Sequence, residues 1–231
     1  MSRLWSTPPA AIELRSRAWE AFLADPAAAL TAAVIQRQVG AVACVLDAGC
    51  GAAQELLPYL RDAVCIGVDT DREALALGNR LLPAQFARAN VGLICASVEA
   101  LPLQPRCCDV VLSCLVLQHV DAQRALHEMA RVLRPSGGLF VSFHHYRYYL
   151  HKLREALHAR DLRPLVYALR VLLTGLCFHL SGTHRSILGM PETYLTHARL
   201  RRMASAAGLE LLTPLPGGSA AAPMLLFRRA R

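Results

Sequence analysis

Charge is scarce in this chain, and one source of it is nearly missing: charged residues make up 18% against 54% hydrophobic, and lysine occurs once, at Lys152. So apolar a composition excludes disorder over most of the length. At 231 residues the chain suits one domain with a well-buried core and a small lid. Its eight cysteines include no C-x-x-C pair and no zinc-like spacing, which argues against a disulfide framework or a metal site. Cys44, Cys65, Cys95, Cys107, Cys108 and Cys114 fall in or beside apolar strand patterns, Cys50 in a glycine turn and Cys177 in an apolar helix. They read as small core residues of a reduced protein. Residues 1–30 lack a basic region, apolar core and small-residue cleavage site in series, so the expected location is cytoplasmic. The most apolar run, Leu162 to Leu180, is interrupted by Arg163, Pro164, Arg170 and His179. It falls short of the ~20 clean apolar residues of a membrane span and predicts a helical insertion instead. There is no internal repeat or low-complexity tract.

The chain is organised around Val45-Leu46-Asp47-Ala48-Gly49-Cys50-Gly51-Ala52-Ala53-Gln54-Glu55-Leu56. The pattern predicts a buried strand from Val42 to Leu46, an acidic residue at its carboxyl end, a glycine turn and a helix from near Ala52. Such a unit opens a doubly wound α/β sheet, in which ligands bind at the carboxyl ends of the strands. A dinucleotide fingerprint needs a third glycine where Gln54 stands, and the Asp47 carboxylate would repel a phosphate but attract a cationic, amino-acid-like ligand. A sulfonium amino acid fits. A second strand, Val64–Asp69, ends on Asp69, 22 residues after Asp47. That is close to the spacing at which a carboxylate accepts both hydroxyls of a ribose diol. Asp71 reads as the cap of a helix from Arg72 to Leu82.

These residues resemble motif I of class I S-adenosylmethionine-dependent methyltransferases, an acidic residue, any residue, then G-x-G-x-G, with Ala53 in the third glycine position. The likeness is to small-molecule methyltransferases, similar to the ubiquinone/menaquinone-biosynthesis group. The resemblance implies a Rossmann-like, seven-stranded, mostly parallel sheet with an antiparallel last strand, plus a helical lid. It implies S-adenosylmethionine as cofactor, held by Asp47, Gly49, Cys50, Gly51, Asp69 and Thr70. Ser97 replaces the family's adenine-binding aspartate, leaving much of adenine recognition to the Val98 backbone, and the backbone at Cys114 passes the methionine portion. Glu99 is expected to face solvent or end a helix. "RVLRPSGGLFVS" at 131–142 is among the more specific family signals. His119, after the fourth strand, and His144 and His145, at the end of the fifth, are the candidate bases, because imidazole is partly neutral near physiological pH. As neighbours on a strand the last two point to opposite faces and do not chelate a metal together.

Four segments follow: a helical cap over 1–39, with Trp19 as a core anchor and a break at Pro26; a cofactor-binding core over 40–145; a lid over 146–190; and a C-terminal helix and hairpin over 191–231. Third, fourth and fifth strands are expected at 92–96, 109–114 and 139–143, with a turn over 134–138. Lid helices are expected from Tyr146 to about His158 and from Leu162 to Leu180, with Tyr146 and Tyr149 lining a substrate pocket. A helix from Pro191 to Ala207 precedes strands at 209–215 and 222–228. The net charge of +8 is concentrated late: residues 146–204 hold 10 Lys+Arg against 3 Asp+Glu. Such a patch suits an acidic substrate, a nucleic acid or an anionic membrane touched through 146–180. The expected activity is methyl transfer to a small or lipophilic organic acceptor. The alternatives are a nucleic-acid methyltransferase using the basic segment, disfavoured by the apolar helix inside it, and a noncatalytic cofactor-binding partner protein. Neither acceptor nor oligomeric state is written in the sequence.

Overall fold

The computed structural model describes residues 20, 26–82, 90–183, 192–215 and 218–230. The expected helix before Pro26, with Trp19, lies outside them. Seven strands form one sheet: β1 (Cys44–Ala48), β2 (Val64–Asp69), β3 (Val91–Cys95), β4 (Cys108–Cys114), β5 (Leu133–Ser142), β6 (Leu209–Pro214) and β7 (Met224–Arg229). Their order is β3-β2-β1-β4-β5-β7-β6. The first five pair in parallel, and β7 runs antiparallel to both β5 and β6. This is the expected doubly wound sheet with a closing hairpin. The chain leaves β1 for β2 on one side and reaches β4 on the other, so the switch point lies at the carboxyl end of β1.

Strand periodicity divides the core into two layers. Leu46, Val111, Leu139 and Val141 face one way and pack with Leu126, Met129, Leu200 and Met203. Val45, Val110, Leu112 and Phe140 face the other way, with Ile35, Leu56 and Leu75. The helices supplying these partners are α1 (Pro26–Val39), α2 (Arg72–Leu81), α3 (Ala122–Val132) and α6 (His197–Ala206). α4 (Tyr146–Ala159) and α5 (Leu162–Ser181) form the lid and match their expected bounds within a residue.

Four expectations are corrected. After the glycine turn comes a six-residue 3₁₀ helix, Gln54–Tyr59, with Pro58 inside it. A proline ring blocks a longer α-helical ladder at that point. The helix expected from Pro191 begins at His197 on the Thr196 cap, because the preceding residues are extended. The Thr193 N–H donates to the Gln118 carbonyl and the Leu195 N–H to that of His144. The turn expected over 134–138 is absorbed into β5, whose register against β4 breaks between Cys108 and Val110, with steady pairing from Gly138. The cysteines among the described residues are free, but Cys95 and Cys177 are exposed rather than core residues.

Candidate cofactor and acceptor site

β1 pairs with β2 on one side and β4 on the other, so the loops leaving these strands converge at the switch point. The Gly49 and Cys50 N–H groups both donate to the Val68 carbonyl, at 2.7 and 3.1 Å, which pins the turn to β2. Gly49 has φ +85°, and a Cβ there would lie inside Val116; glycine is required both by conformation and by space. A Cβ on Gly51 would meet nothing within 4 Å, so this stretch of backbone faces open space. Asp69, the last residue of β2, accepts from the Gly51 N–H through Oδ2 and from the Asp71 N–H through Oδ1, both at 2.8 Å. The carboxylate is thus oriented while each oxygen keeps a lone pair for a further donor.

A cavity of about 260 Å³ opens here. Gly49, Asp69 and Thr70 form one wall, Ser97 and Val98 a second, and Cys114, Leu115, Val116 and His119 a third. Six of the nine cofactor candidates, Gly49, Asp69, Thr70, Ser97, Val98 and Cys114, therefore come together. The Ser97 hydroxyl accepts from the Glu99 N–H at 3.1 Å and keeps its own proton for another acceptor. Glu99 is a helix-end charge: its carboxylate accepts from the Asp121 N–H at 3.0 Å and lies 3.6 Å from Arg124, tying the loop after β3 to the start of α3. Leu115 turns the chain out of β4 with φ 57°, and Ala53 has φ 66° in the glycine turn. Left-handed non-glycine residues store strain; Leu115 lines the cavity, and Ala53 lies fully buried in the turn. A third glycine at position 53 would relieve one of them.

Two candidates stand behind the wall rather than in it. Cys50 is buried with its sulfur over Gly67, so only its backbone borders the turn. Asp47 is fully buried, and neither carboxylate oxygen has a hydrogen-bond partner. Burial raises its carboxyl well above the usual range, and Glu55 and Asp69 add repulsion. Burial also raises the Cys114 thiol, again with Glu55 and Asp47 contributing. Glu55, which sequence reasoning passed over, thus completes an acidic group beneath the turn. An unpartnered buried carboxylate with acidic neighbours suits a cationic ligand and opposes a phosphate.

That carboxylate also loads the fold. Between its unfolded value, about 3.9, and its raised folded value, the folded chain binds more protons than the unfolded chain, so stability falls as pH rises through that window. Asp47→Asn removes the ionisable group and keeps the shape. It is expected to raise the thermal midpoint at neutral pH by roughly 2–8 °C, the shift for about 1–2 kcal/mol in a chain of this size, while weakening cofactor binding. A lower midpoint in scanning calorimetry would contradict this account of Asp47.

His144 and His145 diverge at the end of β5. The His144 ring stacks on Tyr148, centroids 3.8 Å apart, and meets the edge of Tyr149 at 5.9 Å. Burial lowers its pKa, with Glu192 pulling the other way and His119 adding repulsion, so His144 lies within electrostatic reach of the cavity wall. His145 packs on Tyr146 and His197 at 4.3 and 5.4 Å, and burial together with His197, Arg147 and His179 lowers its pKa. Of the candidates after β5, neither His144, His145 nor Tyr146, which meets Tyr194 at 6.0 Å, is among the residues that line this cavity. Tyr149 is fully buried, and its hydroxyl donates to Glu192 at 2.7 Å, as does that of Tyr167. Tyr149 thus sits behind His144, outside the residues that line this cavity. Glu192 clasps both lid helices; it went unnoticed because its segment reads as the start of a helix.

The profile of a family described as a methyltransferase domain matches residues 46–141, the stretch that builds this cavity. The malonyl-[acyl-carrier protein] O-methyltransferase of Herminiimonas arsenicoxydans is 34% identical over 102 residues, which are 43% of this chain and 36% of that protein. The ubiquinone/menaquinone biosynthesis C-methyltransferase of Syntrophotalea carbinolica is 35% identical over 116 residues, 48% of this chain and 47% of that protein. The chain spans less than half the length of these curated relatives. Among solved structures, the YcgJ protein of Bacillus subtilis has the same fold, with a TM-score of 0.57 at 16% identity over 83% of this chain and 93% of that one.

Proposed function

We propose that this chain, whose residues 46–141 match a methyltransferase-domain family, is a class I S-adenosylmethionine-dependent enzyme that methylates a small lipophilic acceptor in the cavity at the β1–β4 switch point. The observation that carries this reading is the convergence on one cavity of Asp69, Ser97, Val98 and His119, above a buried, unpartnered Asp47. When bound, S-adenosylmethionine supplies a methyl group activated by its sulfonium. Asp69 would hold the ribose diol, the loop at Ser97 and Val98 the adenine, and the backbone at Gly49 and Gly51 the amino-acid portion. Glu55 lends negative potential for the cationic end, and the ligand's positive charge would favour the ionised form of Asp47.

What remains for the protein is alignment, exclusion of water and, for a hydroxyl acceptor, removal of a proton. His119 stands in the cavity wall; His144 does not line it, but it feels the charge of His119, and burial lowers its pKa. A neutral imidazole can take that proton. The exposed leucines of the basic segment make it a poor track for a phosphate backbone, which disfavours a nucleic-acid acceptor.

Methyl transfer to lipophilic phenols and amines tests the reading. With a phenol, the rate is expected to rise with pH along a limb centred below the usual imidazole value of about 6.5 and to be flat above it, because lowering the pKa of His144 moves its deprotonation to lower pH. His144→Gln should remove that limb and lower kcat by about 10²–10⁴-fold, the range for a lost general base. An unchanged limb in the variant would clear His144, and the absence of transfer by a protein that binds the cofactor would overturn the acceptor class.

A further inference from the structure

The outward side of α5 carries Leu162, Val166, Leu169, Leu173, Leu176 and Leu180, all exposed, the two end residues at 72% and 80%. Their spacing of four, three, four, three and four residues sets them in one stripe of about 27 Å, at 1.5 Å per residue. The opposite side, with Ala168, Val171, Thr174 and Phe178, is buried in the protein. Exposed Leu150 and Leu157 of α4 add to the apolar surface. So large an unpartnered apolar face calls for an occupant.

Charge decides which. α5 contains no Asp or Glu. Arg170 is buried on the protein side with its guanidinium 5.5 Å from the Tyr167 ring centroid, so the exposed cation of α5 is Arg163; a second copy of the stripe would bring no carboxylate from within α5 to meet it, where helix pairs ordinarily place complementary charges. The exposed cations Arg147 and Arg154 stand three and four residues from Leu150, and Arg163 adjoins Leu162. Leucines rimmed by arginines match the acyl boundary and headgroups of an anionic lipid surface. The helix is long and apolar enough to span a membrane by composition, but its buried side commits it to the protein and leaves it to lie along a surface.

We propose that the outer face of α4 and α5 docks this protein on an anionic lipid membrane. His144 is two residues before α4 and stacks on that helix's Tyr148, so docking sets the lid at the bilayer beside the acceptor side of the cavity. The docking stands on the lid's own surface; its link to a lipophilic acceptor rests on the methyl-transfer reading.

The test is co-sedimentation of the full chain with vesicles of phosphatidylcholine alone and of phosphatidylcholine mixed with phosphatidylglycerol. The expected result is preferential binding to the anionic vesicles, weakened by salt. Leu169→Ser/Leu173→Ser/Leu176→Ser should lower the partition coefficient by at least about a hundredfold, and Arg147→Ala/Arg154→Ala/Arg163→Ala should abolish the anionic preference. Both variants should bind S-adenosylmethionine as the wild type does, which also shows that they fold. Three results each overturn the docking: no binding to anionic vesicles at low ionic strength, equal binding by the leucine variant, or a dimer in light scattering that the leucine variant dissociates while vesicles go unbound. Vesicle binding without cofactor binding would instead sink the methyl-transfer reading and leave the docking intact.

Discussion

Asp69→Ala is expected to weaken S-adenosylmethionine binding by at least about a hundredfold. The carboxylate is set in place by the Gly51 and Asp71 N–H groups before any ligand arrives, so little ordering remains to be done on binding. A vicinal diol donating to both oxygens makes two hydrogen bonds to a charged group, each contributing about 1.5–3 kcal/mol; losing both corresponds to a hundredfold or more in affinity. Alanine also leaves two backbone amides without their partner and frees the glycine turn from the end of β2. Asp69→Asn, which keeps one carbonyl oxygen, should fall between alanine and wild type. An alanine variant within about threefold of wild type would remove the diol from Asp69 and with it the orientation proposed for the cofactor.

Gly49→Val should unsettle the fold itself. At φ +85° a β-branched residue is a conformational outlier, and its Cβ would enter the space of Val116. Strain and overpacking together come to about 3 kcal/mol or more, a fall in the thermal midpoint of roughly 6–12 °C for a chain of this size. Gly51→Ala makes the contrast. Its φ is +52° and its Cβ meets nothing within 4 Å, so it should shift the midpoint by only about 2–4 °C while still weakening the cofactor, because the new methyl group occupies space left open above the turn. Equal stability of Gly49→Val and wild type in a thermal melt would refute this reading of the turn.

The two variants also mark where sequence reasoning reached the site and where it stopped. Gly49, Gly51 and Asp69 are legible because their roles are set locally, by a turn that needs positive φ and a carboxylate at a strand end. The sheet is legible for the same reason: the apolar runs of β1, β2, β4 and the end of β5 are short-range signals. Three-dimensional neighbours decided the remainder. Pro58 shortened the helix after the turn to a 3₁₀ segment. Pairing of 193–195 with Gln118 and His144 delayed the last helix to His197. Adjacent histidines read as equal candidates until the lid separated them, one stacked on Tyr148 and the other packed on Tyr146. Glu192, clasped by the hydroxyls of Tyr149 and Tyr167, carried no local signal, since its partners lie 43 and 25 residues away. The leucine stripe of α5 was visible as a hydrophobic run, but only the burial of its other side shows that it faces outward.

The central claim is that the cavity at the ends of β1, β2 and β4 binds S-adenosylmethionine. Calorimetric titration of the purified wild-type chain with S-adenosylmethionine and with its demethylated product tests it most directly. Saturable binding of both ligands at one site per chain is the predicted result. A folded protein that takes up neither ligand would contradict the claim.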